Sequence, residues 1–228
     1  MCWLTVFWSP RKTCMISYSF RNLPGILFNL HLLLQALVAR RSLVLLFTLN
    51  GPRWQDSEHL LRVMCFIHSR LSRLRFALRR DIIDHRDIQL LSFFNRGKCQ
   101  FLMNVYLDDL HTAVDFLTRE ALNIPNLLYI GGDFNIRDTE WNPSILSYPA
   151  ADQSLRDPAD SYSLVHSLAA LSVLTYYLDI SDHTNSVIDL IFLGISCAQV
   201  VHHIEPDLRR PSDHAPLIFD LPIASENI

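Results

Sequence analysis

Three stretches of this 228-residue chain place acids, amides and a histidine where ordinary packing does not call for them. The first is Gly131-Gly132-Asp133-Phe134-Asn135, an acid and a carboxamide one residue apart, directly after the apolar run Leu127 to Ile130. The second is Asp189, the only acid in the apolar run Ser186 to Leu193. The third is Ser212-Asp213-His214, set between Pro211 and Pro216 and followed by the apolar run Leu217 to Leu221.

On extended backbone, positions i and i+2 share a side. Asp133 and Asn135 are therefore expected to face one place, with Phe134 turned into the core. A carboxylate and a carboxamide side by side suit the handling of a water or a metal-bound oxygen. An ionised carboxylate inside an apolar strand is costly unless it is paired, and His214 is a natural partner for Asp189. Such a bond fixes the imidazole tautomer and leaves the other ring nitrogen to face a substrate. Asp213 then points elsewhere, available to a hard cation such as Mg²⁺, which takes one or two carboxylates plus waters and phosphate oxygens. Taken singly, a Ser-Asp-His tripeptide is most often a turn and a strand-end acid most often caps a loop. Three such features in this order, each beside an apolar strand, carry more weight than any one.

The elements that must position these residues follow from local pattern. Leu127 to Ile130 reads as a buried strand that the two glycines stop. Ile88 to Phe94 and Cys99 to Tyr106 read as a hairpin turned at Asn95-Arg96-Gly97-Lys98, where glycine supplies a positive φ. Leu110 to Leu122 has helical spacing of Leu110, Val114 and Leu117, and a second helix is expected within 154–172. Ser57 to Ser72 is helix-like at its start and Val63 to Ile67 within it reads equally as a strand; 200–204 and 217–221 read as strands, and 26–39 and 43–49 as a helix and a strand. Hairpins alternating with helices argue for an α/β sandwich.

Charge divides the chain unevenly. Residues 1–55 hold six basic residues and no acid, whereas the remainder holds 14 basic and 23 acidic residues. The overall balance of −3 makes no general case for nucleic-acid binding. Arg70, Arg73, Arg75, Arg79 and Arg80 form a denser group, suited either to a DNA backbone or to a solvated turn. The five cysteines are scattered without CxxC spacing, which argues against a disulfide framework or zinc site and for a reducing compartment. The apolar run Ile26 to Leu49 is broken by Arg40-Arg41, so neither half reaches the roughly 20 residues of a membrane span.

The pattern resembles the endonuclease/exonuclease/phosphatase superfamily, and most closely its LINE-type retrotransposon endonucleases of fungal endonuclease–reverse transcriptase type. Arg70-Leu-Ser-Arg-Leu-Arg-Phe76, His85-Arg-Asp-Ile88, Asn104-Val-Tyr106, Gly132-Asp-Phe-Asn-Ile-Arg-Asp138, Asn185-Ser-Val-Ile-Asp-Leu190 and Pro211-Ser-Asp-His-Ala-Pro-Leu217 carry the likeness, over about residues 60–222. It implies a DNase I-like four-layer sandwich of two mixed β-sheets flanked by helices, incomplete at the N-terminus. It divides the chain into an N-terminal extension (1–57), the domain (58–222) and a tail (223–228). By the resemblance, Asp133 transfers protons or contacts metal, Asn135 orients the water or phosphate, and Tyr106 contacts the scissile phosphate. Asp189 pairs with His214, Asp213 contributes to a Mg²⁺ (or Mn²⁺) site, and Asn104 and Arg137 contact substrate.

The expected reaction is hydrolysis of DNA phosphodiesters by an intracellular protein of nucleus or cytoplasm, with a reverse transcriptase in the parent element. The family's early strands carry a Gln-Asn pair and a Gln-Glu whose glutamate is the principal metal ligand. Residues 1–57 contain no glutamate. A catalytically inactive relic is therefore the alternative expectation, and a membrane-associated phosphatase on the same scaffold a third.

Overall fold

The computed structural model describes residues 2–5, 15–19, 45–47, 63–67, 74–85, 87–95, 97–107, 112–120, 124, 127–136, 141, 164–166, 174–177, 186–194, 202–204 and 217–219. The expected helix over 26–39, and Arg137, Asp213 and His214, lie outside these residues.

The best-marked element is the hairpin of β6 (Ile88–Asn95) and β7 (Lys98–Tyr106). Asn95 pairs with Lys98, so the turn is tight, and Gly97 takes φ 73° as such turns require. The apolar runs that make these strands are buried on both faces, the pattern of sheets covered on both sides. The chain leaves β7, forms α1 (Thr112–Glu120) and returns as β8 (Leu127–Asp133), parallel to β7. A parallel return needs such a crossover.

Ala113 and Leu117, one helical turn apart, put α1 onto the outer face of this sheet. There they join one core with Ile88, Leu90, Met103, Val105, Ile130, Phe134 and Phe192. Each such side chain contributes about 1.5–3 kcal/mol by leaving water. Asp115 in the first turn and Arg119 in the last suit the helix dipole.

Short β5 (Ala77–Leu78), β9 (Leu164–His166) and β10 (Asp189–Gly194) complete a mixed six-stranded sheet in the order β5-β6-β7-β8-β10-β9. Of the stretch 154–172, within which a helix is expected, Leu164–His166 is instead an edge strand paired with Phe192 to Gly194, and the rest lies outside the described residues. In that strand, pairing with an available sheet edge overrides the local pattern. The glycines do not stop β8 either. Gly131 and Gly132 lie inside it, each matched to a residue of β7 and of β10.

A second sheet comprises β1 (Cys2–Thr5), β2 (Met15–Ser19), β3 (Leu45–Phe47) and β4 (Val63–Ile67), in the order β1-β2-β4-β3, with antiparallel pairs throughout. Three of its four strands come from the residues before 58, the stretch expected to be an extension. It packs face to face on the larger sheet, β4 over β6 and β7 and β2 over β7 and β8. The pair β11 (His202–Ile204) and β12 (Leu217–Phe219) lies beside β1. The result is a layered α/β sandwich. Among the described residues no helix is long and apolar enough to cross a membrane.

Candidate active site

The two faces of the six-stranded sheet differ in kind. The outer face is the apolar core under α1. The inner face, toward the four-stranded sheet, carries the buried polar residues Gln89, Asn104, Asp133 and Asp189. Opposite residues in neighbouring strands share a face, so register decides which of these meet. Tyr106 of β7 is matched to Asp133 of β8, and Asp133 to Asp189 of β10. The three form one row across three strands, 4%, 2% and 2% exposed respectively. Two residues further into the sheet, Gln89, Asn104, Gly131 and Ile191 form the next row of that face. Asn104 reaches the other sheet, its Nδ2 3.8 Å from Cys65 Sγ on β4.

The glycines shape this end of β8. A Cβ at Gly131 would lie 2.0 Å from the Tyr129 hydroxyl, which occupies the space a side chain would take. A Cβ at Gly132 would lie 1.8 Å from the Val105 carbonyl oxygen, and Gly132 also has φ 149°. β7 and β8 therefore approach closely just before Asp133.

Asp133 ends the strand, and three bonds hold it together with Asn135 and Leu107. Its carbonyl accepts from Leu107 N at 2.8 Å. Its Oδ1 accepts from Asn135 N at 3.0 Å, and Asn135 Nδ2 donates to the Leu107 carbonyl at 2.6 Å. The expected side-by-side display of Asp133 and Asn135 on extended backbone is corrected here. Asn135 has φ 49°, a left-handed conformation that asparagine tolerates. The two residues are joined by a turn whose amide grips the carboxylate, and the carboxamide ties β8 to the exit of β7. Phe134 faces the core, edge-on to Phe192 at 5.7 Å.

Asp189 starts β10 rather than lying within a strand from Ser186. Upstream, Ser186 bridges Tyr176. The backbone N–H groups of Ile188 and Asp189 both donate to Thr175 Oγ1, at 3.0 and 3.1 Å. Thr175 is fully buried and was invisible to pattern reading. Its one signal is a hydroxyl residue within the apolar stretch Leu174-Thr175-Tyr176-Tyr177. The structure thus brings together Tyr106, Asp133 and Asp189 with Asn135 and, one row in, Asn104.

The arginine group is partly spoken for. Arg79 Nε donates to Asp81 Oδ1 at 2.8 Å, and Arg80 Nη1 to Asp84 Oδ1 at 2.8 Å. The bond from Arg79 holds the Asp81 carboxyl below its ordinary value, and Asp81 holds Arg79 above its own.

Among the described residues no group of three or more acids, histidines or cysteines gathers as a cation cage. Asp133 and Asp189 supply two hard oxygen donors in one row, the number and kind that Mg²⁺ takes alongside waters and phosphate oxygens. The described strands of the facing sheet add no carboxylate, because β1 to β4 read CWLT, MISYS, LLF and VMCFI.

No family model and no curated protein matches the chain. Solved structures do. The endonuclease domain of TRAS1, a telomere-specific non-LTR retrotransposon, superposes with a TM-score of 0.62 at 14% identity, covering 83% of this chain and 90% of that one. Truncated Caenorhabditis elegans TDP2 superposes with a TM-score of 0.50 at 13% identity, covering 89% and 82%. At such identities the likeness is one of fold.

Proposed function

From the DNase I-like fold of the endonuclease/exonuclease/phosphatase superfamily, which this chain has, we propose that it is a divalent-metal-dependent phosphodiester hydrolase, a DNA endonuclease of retrotransposon type. The observation that carries this reading is the row Tyr106–Asp133–Asp189, in register on three neighbouring strands and buried at one end of the sandwich's inner face. The overlap with a retrotransposon endonuclease domain along most of both chains supports the finer assignment.

In this reading Asp133 takes the proton that the attacking water releases, with its carboxylate aimed by the Asn135 N–H. Tyr106 donates its phenol to a phosphate oxygen. Asn135, fixed by Leu107, orients the phosphate, and Asn104 and Arg137 contact the nucleic acid. Asp189 pairs with His214, and Asp213 contributes to the cation site. A bound Mg²⁺ supplies charge stabilisation on the phosphate and the leaving oxygen. DNA is the partner, a reverse transcriptase belongs to the parent element, and the site of action is intracellular.

Nicking of supercoiled plasmid with Mg²⁺ tests this. The native protein nicks, and Asp133→Ala and His214→Ala reduce the rate by about 100-fold or more. Equal cleavage by all three overturns the assignment.

A second reading has its own observation, the absence of any acid from the four strands of the facing sheet. A chain with the fold but without that carboxylate binds DNA and does not turn it over. Metal-dependent cleavage that Asp133→Ala abolishes excludes this reading.

A further inference from the structure

Strand β9 covers β10 only at Phe192 to Gly194. At Ile188 and Asp189 no described strand lies on that edge, and the hydroxyl of Thr175 takes the two backbone N–H groups instead. Successive N–H groups of an extended strand point to opposite edges. Both reach one oxygen only where the chain bends, so the backbone is turned immediately before Asp189. A hydroxyl has two acceptor lone pairs and suits this double role. The bend is pinned from a second side as well, since Phe134 N donates to the Ile188 carbonyl at 2.9 Å. Thr175 itself is held by its own N–H to the Ser186 carbonyl at 3.2 Å and is fully buried.

We infer that Thr175 is a positioning residue for the active site: its hydroxyl fixes the bend that sets Asp189 in register with Asp133. Catalytic consequences of this role rest on the hydrolase reading, whereas the geometric role does not. A valine at this position keeps the shape and removes the acceptor, and a serine keeps the acceptor.

The test uses the full chain as native, Thr175→Val and Thr175→Ser proteins, with two readouts. In residue-resolved amide exchange, Ile188 and Asp189 are protected in the native and serine proteins. They exchange at least about tenfold faster in the valine protein, while Leu102 and Met103 in β7 remain unchanged. In Mg²⁺-dependent plasmid nicking, the valine variant loses about 10- to 100-fold in kcat with KM nearly constant, as expected of a misplaced catalytic group. Serine restores both. Native amides of Ile188 and Asp189 that exchange as fast as open chain overturn the inference even if the valine variant fails to fold. So does a valine variant with native exchange and native kcat. A native protein that is folded yet inactive counts against the hydrolase reading, and the exchange data then decide the positioning role by themselves.

Discussion

Asp133 and Asp189 stand directly opposite each other on neighbouring antiparallel strands, each 2% exposed. Directly opposed residues have Cβ atoms about 4.5–5.5 Å apart. Two carboxylates at that separation repel each other, and a cation in the space they share relieves the repulsion. Asp133→Asn should therefore leave the melting temperature equal or raise it, while cutting Mg²⁺-dependent nicking by about 100-fold or more. Calorimetry beside a nicking assay checks this. A large loss of stability would instead mark Asp133 as a structural residue.

Gly132 predicts a sharp contrast with Gly97. A Cβ at Gly132 meets the Val105 carbonyl oxygen of the adjacent strand, which cannot withdraw without parting β7 from β8. Gly132→Ala should cost more than about 3 kcal/mol, above the usual range for point changes. Gly97→Ala, with nothing within 4 Å and φ 73°, should cost only about 1–2 kcal/mol of left-handed strain. Urea unfolding of the two variants measures the difference, and comparable midpoints would contradict it.

Asn135 joins two strand ends, and its amide group is the part that does so. Asn135→Asp replaces the donor to the Leu107 carbonyl with an oxygen that repels it, so stability should fall by about 1–3 kcal/mol. Asn135→Gly keeps the left-handed turn and the N–H to Asp133 but loses the tie, and should cost less. If the aspartate variant is as stable as the native protein, the Leu107 tie is not what holds this turn.

These residues also show what a sequence discloses. The β6–β7 hairpin was legible because its two apolar runs flank a glycine turn, a purely local signal. The acid-amide pair at the end of β8 was legible as chemistry, yet its geometry was not, because Asn135 leaves the strand. The row Tyr106–Asp133–Asp189 depends on register across three strands, which no local pattern contains. Thr175 was missed for a related reason: its work is done on backbone amides 13 and 14 residues away. Strand β3 falls within the expected strand 43–49, whereas β1 and β2 lie in a stretch that matches no motif of the resemblance, and only the pairing of β1 with β2 and of β2 with β4 reveals them.

The Arg79–Asp81 pair predicts a pH-dependent effect away from the site. The bond from Arg79 lowers the Asp81 carboxyl, so its contribution to stability is present above the ordinary aspartate value of about 3.9 and is lost as pH falls through the lowered value. The raised guanidinium adds a loss only at pH beyond its own ordinary range, where few proteins survive. Both groups are solvated, so salt screens the pair and the effect is small. Arg79 has a second attachment, its guanidinium lying 5.7 Å from the centre of the Phe101 ring, which acid does not remove. Asp81→Asn should therefore lower the melting temperature slightly near pH 7, and by progressively less toward about pH 2 or in about 1 M salt. Arg79→Met should lower it at both ends of that range, since the ring contact is lost at any pH. Melting curves of the two variants at both pH values separate the contributions. An Asp81→Asn deficit that persists in acid would show that the aspartate acts through the turn it occupies rather than through its charge.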